Sequence, residues 1–291
     1  MLFSRPLAKK PVNKPAAKAK TAAAFLLELI VAATLGIGAF FWPPEDCLAA
    51  PQGAFDPEAR AIMEKVYRRP DGADRRYQMT LTLTNQRGAA RIRRVEIFSK
   101  DYGPDRKSVM SFSEPADVKG TIYLSWDYGD AQREDDRWLY LPSMRKDRRV
   151  SGKARSESFM GTDFAYGDLD RRRPEKDVQK LLGEEKLNDL ETWVIECRPA
   201  GEGDGYARKV AWVSKEDFLI VKAEYYDQDG LLKVYEVRKI ERRGPYSAAS
   251  DCVMRNVVTG HRTEMLIEGL AYDTGLSDEL FTVAYMRRGR L

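Results

Sequence analysis

The sequence is very poor in histidine, with His261 the single one among 291 residues. One imidazole cannot build the multi-histidine centres of zinc or non-haem iron enzymes, and it leaves none to spare for acid-base catalysis. The sequence also lacks a Walker loop, a dinucleotide fingerprint, a Gly-x-Ser-x-Gly elbow and a His-Glu-x-x-His helix. We therefore predict a protein that is not an enzyme and that holds no metal.

A large excess of charge of one sign is missing as well. The chain has 49 Lys and Arg against 45 Asp and Glu, a formal net charge of +4, and its first fifty residues carry three of these four excess charges. Without a broad basic field to concentrate phosphate, the chain is predicted to have no nucleic-acid partner. The basic runs 145–149 and 171–173 could meet a phosphate head group or an acidic partner, but neighbouring aspartates favour solvated loops.

The first fifty residues have the layout of an export signal. Residues 1–20 are rich in Lys, Pro and Ala, and residues 21–42 form a nearly unbroken apolar run with no twin-arginine pair before it. Positive residues before such a run stay in the cytoplasm, so the chain that follows crosses the membrane. Small residues at 47–50 favour cleavage, although the run is long enough for a retained inner-membrane anchor. We predict a Sec-type signal peptide or anchor over residues 1–50 and a periplasmic domain over residues 51–291.

The three cysteines do not decide whether the exported domain contains a disulfide. Cleavage of the leader would remove Cys47 and leave Cys197 and Cys252. Such a pair outside the cytosol could form a disulfide. Each cysteine nevertheless stands in a run typical of a strand, which favours two small buried thiols that never meet.

Most of the exported part alternates between apolar and polar residues. Residues 56–68 have the three and four residue spacing of a helix with Asp56 as its cap, and residues 168–183 are the best second helix. From Tyr77 onward the period is two, which is typical of half-buried strands. Eleven strands are predicted, at residues 77–84, 89–100, 107–113, 121–127, 137–141, 191–198, 206–213, 218–227, 231–242, 251–258 and 261–271.

The loops between these strands are short, so strands adjacent in sequence are expected to pair. The predicted fold is mainly β with a few helices, an antiparallel meander in one α+β domain, and a sheet this wide curls around its core. Aromatic and methionine residues crowd into residues 123–166. They could fill an ordinary core, or they could line a cavity for an acyl chain.

Several sequence blocks resemble the outer-membrane lipoprotein-sorting protein family of LolA-like proteins. The most specific are Arg-Trp-Leu-Tyr-Leu-Pro at 137–142 and the block at 158–169 that begins Ser-Phe-Met-Gly. Weaker matches stand at residues 112–121, 148–150, 226–230 and 280–282, so the resemblance spans about residues 57 to 286. It implies a half-open antiparallel β-barrel of about eleven strands with a helical lid, LolA/LolB-like. It further implies lipid or lipoprotein acyl chains as ligands, no cofactor, and an inner-membrane exporter of the resistance-nodulation-division (RND) type nearby.

Together these observations predict a monomeric periplasmic carrier for outer-membrane lipoprotein sorting or lipid transport. Its acyl-chain cavity is predicted to be lined by Met79, Leu81, Leu83, Met110, Phe112, Leu139, Leu141, Phe159, Met160 and Phe164. The alternative is a non-transporting adaptor that docks on an RND-type permease through Arg148 and Arg149. A hydrolase using Ser158 or His261 has the least support, because neither residue has a catalytic partner in the local sequence.

Overall fold

The computed structural model of the protein describes residues 56–130, 132–150, 152–201 and 205–288. The predicted signal peptide or anchor at residues 1–50, with its cleavage site, lies outside the described residues. None of the helices within the described ranges combines the length and the apolar character that a membrane crossing needs.

Thirteen strands and two α-helices make up the described chain. The helices are α1, Pro57–Arg68, and α2, Val283–Arg287. The strands are β1 Asp74–Thr84, β2 Ala90–Tyr102, β3 Asp105–Glu114, β4 Ile122–Asp127, β5 Asp136–Leu141, β6 Lys146–Arg149, β7 Asp177–Leu187, β8 Leu190–Pro199, β9 Arg208–Ser214, β10 Ile220–Tyr226, β11 Leu231–Arg243, β12 Tyr246–Asn256 and β13 Arg262–Tyr272. Short 3-10 helices occur at Gly152–Ser156, Phe159–Gly161, Tyr166–Leu169, Pro174–Lys176 and Asp278–Phe281.

All thirteen strands belong to one antiparallel sheet that does not close. The strand order is β6-β5-β4-β3-β2-β1-β13-β12-β11-β10-β9-β8-β7, so β6 and β7 are the edges. Each half is a meander, and the first and last strands pair in the middle of the sheet, from Arg75↔Tyr272 to Thr84↔Arg262. The prediction of a mainly β, unclosed antiparallel fold with few helices is confirmed.

The eleven predicted strands are all present, and the structure adds β6 and β7. The helix predicted over residues 168–183 is wrong, because residues 177–183 belong to β7, which pairs with β8 from Asp177↔Pro199 to Leu187↔Leu190, and the residues before them form only short 3-10 turns and irregular chain. Val178 and Leu182, which suggested a helix face, are instead exposed on the outer side of this strand. Hydrogen bonding to a long neighbouring strand outweighs the weak local helical pattern.

Helix α1 forms as predicted and covers the β7–β9 end of the sheet. The Asp56 carboxylate accepts hydrogen bonds from the backbone N–H groups of Glu58 and Ala59, which satisfies two donors at the helix start. The buried face of the helix, Ala59, Ile62 and Met63, packs with Ile195, Cys197 and Val213 of β8 and β9. This helix is therefore part of the predicted lid.

The other half of the sheet is covered by the chain between β6 and β7. Phe159 and Tyr166 from this segment are buried in a core cluster with residues of β1 to β5. The opposite face of the same strands carries the C-terminal turn and α2, where Phe281 and Met286 pack against Val109, Ile122 and Leu124. Strands β3 and β4 are thus buried on both faces.

Candidate functional site: a covered cavity on the sheet

A cavity of about 460 Å³ lies between the sheet and its cover. Its floor is formed by β1 and by strands β7 to β13, and its roof by α1 and the segment from Arg155 to Pro174. Small residues leave the space: β12 contributes Ala248, Ala249 and Cys252 to the floor. The volume falls within the range of about 300–1,000 Å³ that is typical of small-molecule sites.

One wall of the cavity is aromatic and aliphatic. Tyr77, Tyr225 and Tyr235 line it, and burial raises the pKa of each hydroxyl above its ordinary value. The remaining apolar lining comes from Met63, Val66, Phe164, Phe218, Leu219, Ile220, Met265, Ile267 and Leu270. The tyrosines stay neutral at physiological pH, so this wall can solvate a hydrocarbon chain.

Cys197 and Cys252 also face the cavity, and both are free thiols. Burial raises the pKa of each thiol to about 11. At neutral pH they are uncharged and behave as small apolar side chains. They extend the neutral wall.

The rest of the lining is strongly basic. Seven cationic side chains contribute to the cavity, against three carboxylates, those of Asp168, Asp170 and Asp177. The cations are Arg69, Arg75, Arg155, Arg171, Arg172, Arg208 and Lys209. The cavity is therefore amphipathic, with a neutral wall and a positively charged boundary.

The composition of the basic run 171–173 favoured a solvated loop, but the structure shows that each of its arginines is bound by other parts of the chain. Arg171 donates to the Tyr67 carbonyl oxygen through Nε and Nη2, at 3.1 and 2.6 Å. Arg172 binds the Asp177 carboxylate, and Arg173 donates to the carbonyl oxygens of Tyr128 and Asp130. Buried guanidinium groups need such acceptors, and the tertiary fold supplies them.

A second buried charge network lies beside the cavity. The Arg137 side chain, 4% exposed, makes ion pairs with Asp127, Asp135 and Asp170. Asp170 also binds Arg155 at 2.8 Å. Burial raises the pKa of Asp127 to about 7, although the charge of Arg137 opposes that rise. The network fixes the cavity-lining Asp170 and Arg155 to the β4–β5 end of the sheet.

Of the ten predicted cavity residues, Phe164 lines this cavity. The other nine lie in the core cluster under the β6–β7 connection: six are buried, and Met110, Leu141 and Met160 pack against them partly buried. The Phe159 ring fills the centre of that cluster, with centroids 5.8 Å from Phe112 and 5.3 Å from Tyr166. The sequence indicated the apolar face of β1 to β5, whereas the open space lies mainly over β8 to β13.

The residues that the sequence prediction missed had a visible signal. The same period-two alternation that marks the strands predicted to line the cavity also includes Tyr225, Tyr235, Met265 and Ile267. Alternation identifies the inner face of a strand, but it does not show which part of that face another segment covers.

Arg148 and Arg149 lie on β6, at the opposite end of the sheet from the cavity. Both are exposed, and β6 pairs with β5 on one side only. The Arg149 guanidinium binds the Asp136 carboxylate. These two arginines are placed on a free sheet edge, where another chain can approach.

Ser158 and His261, the two residues of the hydrolase hypothesis, have separate partners. The Ser158 hydroxyl donates to the Thr162 carbonyl oxygen at 2.6 Å. His261 Nδ1 lies 2.6 Å from Asp163 Oδ2, which also accepts from the Thr263 hydroxyl. The Ser158 bond lies within the β6–β7 connection, whereas the bonds of Asp163 hold that connection to the start of β13.

The fold and the cavity define a binding protein built on an open, covered antiparallel sheet. A family model whose description reads "-like: Uncharacterized protein" matches residues 104–288, more than half of the chain. Among curated proteins, none matches this chain in sequence.

Solved structures give closer matches. A domain from Vibrio parahaemolyticus, named for outer membrane lipoprotein sorting, is 30% identical with a TM-score of 0.75, over 80% of this chain and 99% of its own. A DUF1329 family protein from Desulfovibrio piger is 28% identical with a TM-score of 0.74, over 79% and 98%. A LolA superfamily protein from Nitrosomonas europaea shares the fold at 22% identity and a TM-score of 0.62, over 78% and 98%. The chain belongs to the outer-membrane lipoprotein-sorting protein family of LolA-like proteins.

Proposed function

We propose that the protein is a periplasmic carrier that holds an acyl chain of a lipid or lipoprotein in the covered cavity. The observation that carries the proposal is the neutral wall of tyrosine, aliphatic and thiol groups under α1 and the Arg155–Pro174 segment. Each buried methylene contributes about 0.8 kcal/mol, so a chain held along this wall gains useful affinity without polar recognition. The similarity to a domain named for lipoprotein sorting agrees with this role.

In this proposal, the nine predicted residues that lie outside the cavity take part in binding when the cavity extends. The segment that contains Phe159 and Met160 covers the other seven, and Met160 has a left-handed backbone with φ 51°. If this segment leaves the sheet, the cavity extends over β1 to β5 and accepts a longer chain. Met79, Leu81, Leu83, Phe112, Leu139 and Leu141 then become its floor, together with Met110.

We further propose how the protein is exported and which partner it binds. Residues 1–50 would direct the domain at residues 51–291 to the periplasm and either be cleaved or stay in the inner membrane. The carrier would act as a monomer and without a cofactor. An RND-type exporter would bind at the free edge of β6, where Arg148 and Arg149 are exposed.

The adaptor alternative uses the same edge without transport. Reversing both charges, Arg148→Glu with Arg149→Glu, should abolish co-purification of the permease in either case. The carrier hypothesis requires that native protein also bring lipid with it; the adaptor hypothesis does not.

The decisive experiment is native mass spectrometry of the protein purified from its own periplasm, followed by extraction of bound lipid. We expect a bound amphiphile in the wild type and in Ala90→Phe, because Ala90 is exposed. Ala249→Phe places a ring in the cavity floor and should give empty protein that melts at the temperature of delipidated wild type. Wild-type protein that is consistently empty and takes up no fluorescent fatty acid would refute the carrier hypothesis.

A further inference from the structure

An arginine cluster stands where α1 ends and β1 begins, at the boundary of the cavity. Arg106 makes two hydrogen bonds of 2.6 Å to the Asp71 carboxylate, and Arg75 adds a third at 2.8 Å. Arg106 also pairs with Asp101. Burial opposes ionisation of Asp71, but these arginines overcome it and lower its pKa to about 2. Asp71 is therefore charged, and the carboxylates of Asp71 and Asp101 are both already engaged by arginine.

Two further arginines adjoin this cluster without an acid of their own. Arg69 Nη1 donates to the Ser247 carbonyl oxygen at a long 3.3 Å, and Arg171 donates to the Tyr67 carbonyl oxygen. Across the described ranges, neither guanidinium has a carboxylate oxygen within the 4.0 Å of an ion pair. Desolvation lowers the pKa of both side chains. The cluster thus contains four arginines and two aspartates. Arg69 and Arg171, which carry the surplus positive charge, both line the cavity.

Unused hydrogen-bond donors point the same way. Arg75 and Arg155 both line the cavity, and the Nε of each is buried without a hydrogen-bond partner. Buried donors in proteins are nearly always paired, and a charged donor costs more than a neutral one when it is not. An anion at this boundary would supply an acceptor for Arg75 Nε and compensate the surplus charge.

We propose that the occupant of the cavity is an anionic amphiphile, whose carboxylate or phosphate group is bound by Arg69, Arg75 and Arg171. This inference rests on the proposed carrier function and adds the chemical class of its ligand. The hydrocarbon chain lies along the wall of Tyr77, Tyr225 and Tyr235, while the planar guanidinium forks hold the head group. A neutral lipid would leave the surplus charge without compensation.

Two probes with one hydrocarbon chain test this directly: cis-parinaric acid and its methyl ester, titrated by fluorescence against the full chain. At pH 8 the acid is ionised and the ester is neutral. A charge-assisted hydrogen bond favours the acid by at least about tenfold in Kd. Equal affinity for both probes would overturn the anionic class and leave the carrier function standing, whereas binding of neither would refute the carrier function itself.

Variants then locate the head-group site. The double substitution Arg69→Gln with Arg171→Gln should weaken the acid about tenfold and leave the ester unchanged. Unchanged ester binding also shows that the variant is folded. Arg171→Lys keeps the charge and should lose less than Arg171→Gln, and Arg94→Gln, at an exposed ion pair with Glu114, is the matched control. Equal weakening of both probes would overturn the assignment of these arginines.

Inorganic phosphate distinguishes a head group from a free anion. At millimolar concentration it should not displace cis-parinaric acid, because it lacks the chain that the tyrosine wall binds. Displacement that is lost in the double variant would show a free-anion site and would overturn the amphiphile.

Discussion

The backbone N–H of Leu181 donates to Asp56 Oδ2 at 2.8 Å, across 125 residues of sequence. The other oxygen of the same carboxylate caps α1 through Glu58 and Ala59. One side chain therefore joins the start of the covering helix to the edge strand β7. The pKa of Asp56 is lowered, chiefly by the hydrogen bonds from Ala59 and Leu181.

This double role gives the first prediction. Asp56→Ala removes both the helix cap and the tie to β7, whereas Asp56→Asn keeps an oxygen for the cap. We expect Asp56→Ala to lower the unfolding free energy and to speed hydrogen exchange in α1. Asp56→Asn should show the smaller loss. Identical exchange rates in wild type and Asp56→Ala would show that the carboxylate does not hold the helix.

The second prediction concerns the Phe159 ring. Phe159→Ala deletes the centre of the cluster formed with Phe112, Tyr123 and Tyr166. The lost burial and the space left behind should reduce the unfolding free energy by about 3–5 kcal/mol in a denaturant titration. If the cavity extends under this segment, the variant should also gain affinity for longer acyl chains relative to shorter ones. A constant preference for chain length would confine the ligand to the cavity over β8 to β13.

The third prediction is a pH dependence of stability. The pKa of Asp127 is about 7 in the folded protein because burial disfavours its charged form. The unfolded carboxyl titrates near pH 4, so between pH 4 and 7 the native state binds more protons than the unfolded state. The unfolding free energy contributed by this group must therefore fall as pH rises through that window, by about 2–3 kcal/mol between pH 5 and 8.

Asp127→Asn measures this contribution, because the amide is neutral at every pH. Denaturant titrations at pH 5 and pH 8 should show a smaller decline in the variant than in the wild type. A wild-type decline no steeper than that of Asp127→Asn would contradict a raised pKa.

The fourth prediction concerns the two free thiols. With a pKa of about 11, Cys197 and Cys252 are almost entirely protonated at pH 8. Alkylation by iodoacetamide should be at least about a hundredfold slower in the native protein than in urea, since the thiolate is the reactive form. Peptide mass spectrometry distinguishes labelling at these two cysteines from labelling at Cys47. Bound fatty acid should slow the alkylation further, because both thiols line the cavity. Rapid labelling of the native, ligand-bound protein would contradict their placement.

Much of this fold could be predicted because it is encoded locally. The alternation in β1, with Met79, Leu81 and Leu83 on one face, identified the strand and its buried side. Asp56 and the spacing of Ala59, Ile62 and Met63 identified α1. β7 was missed because a short apolar pattern fits a helix and a strand equally well, and only pairing with β8 decides between them.

The sequence by itself determined that this chain folds into an antiparallel sheet with one apolar face, because the alternation of side chains is a property of each strand alone. It also carried the surplus of arginine in residues 171–173, without showing which acceptors those side chains find in the fold. Only the tertiary structure decided where the apolar face is filled and where it stays open. Phe159 fills one half of the sheet, while small residues such as Ala249 leave room in the other. That division depends on where the β6–β7 connection crosses the sheet, which is a long-range packing outcome and not a local pattern.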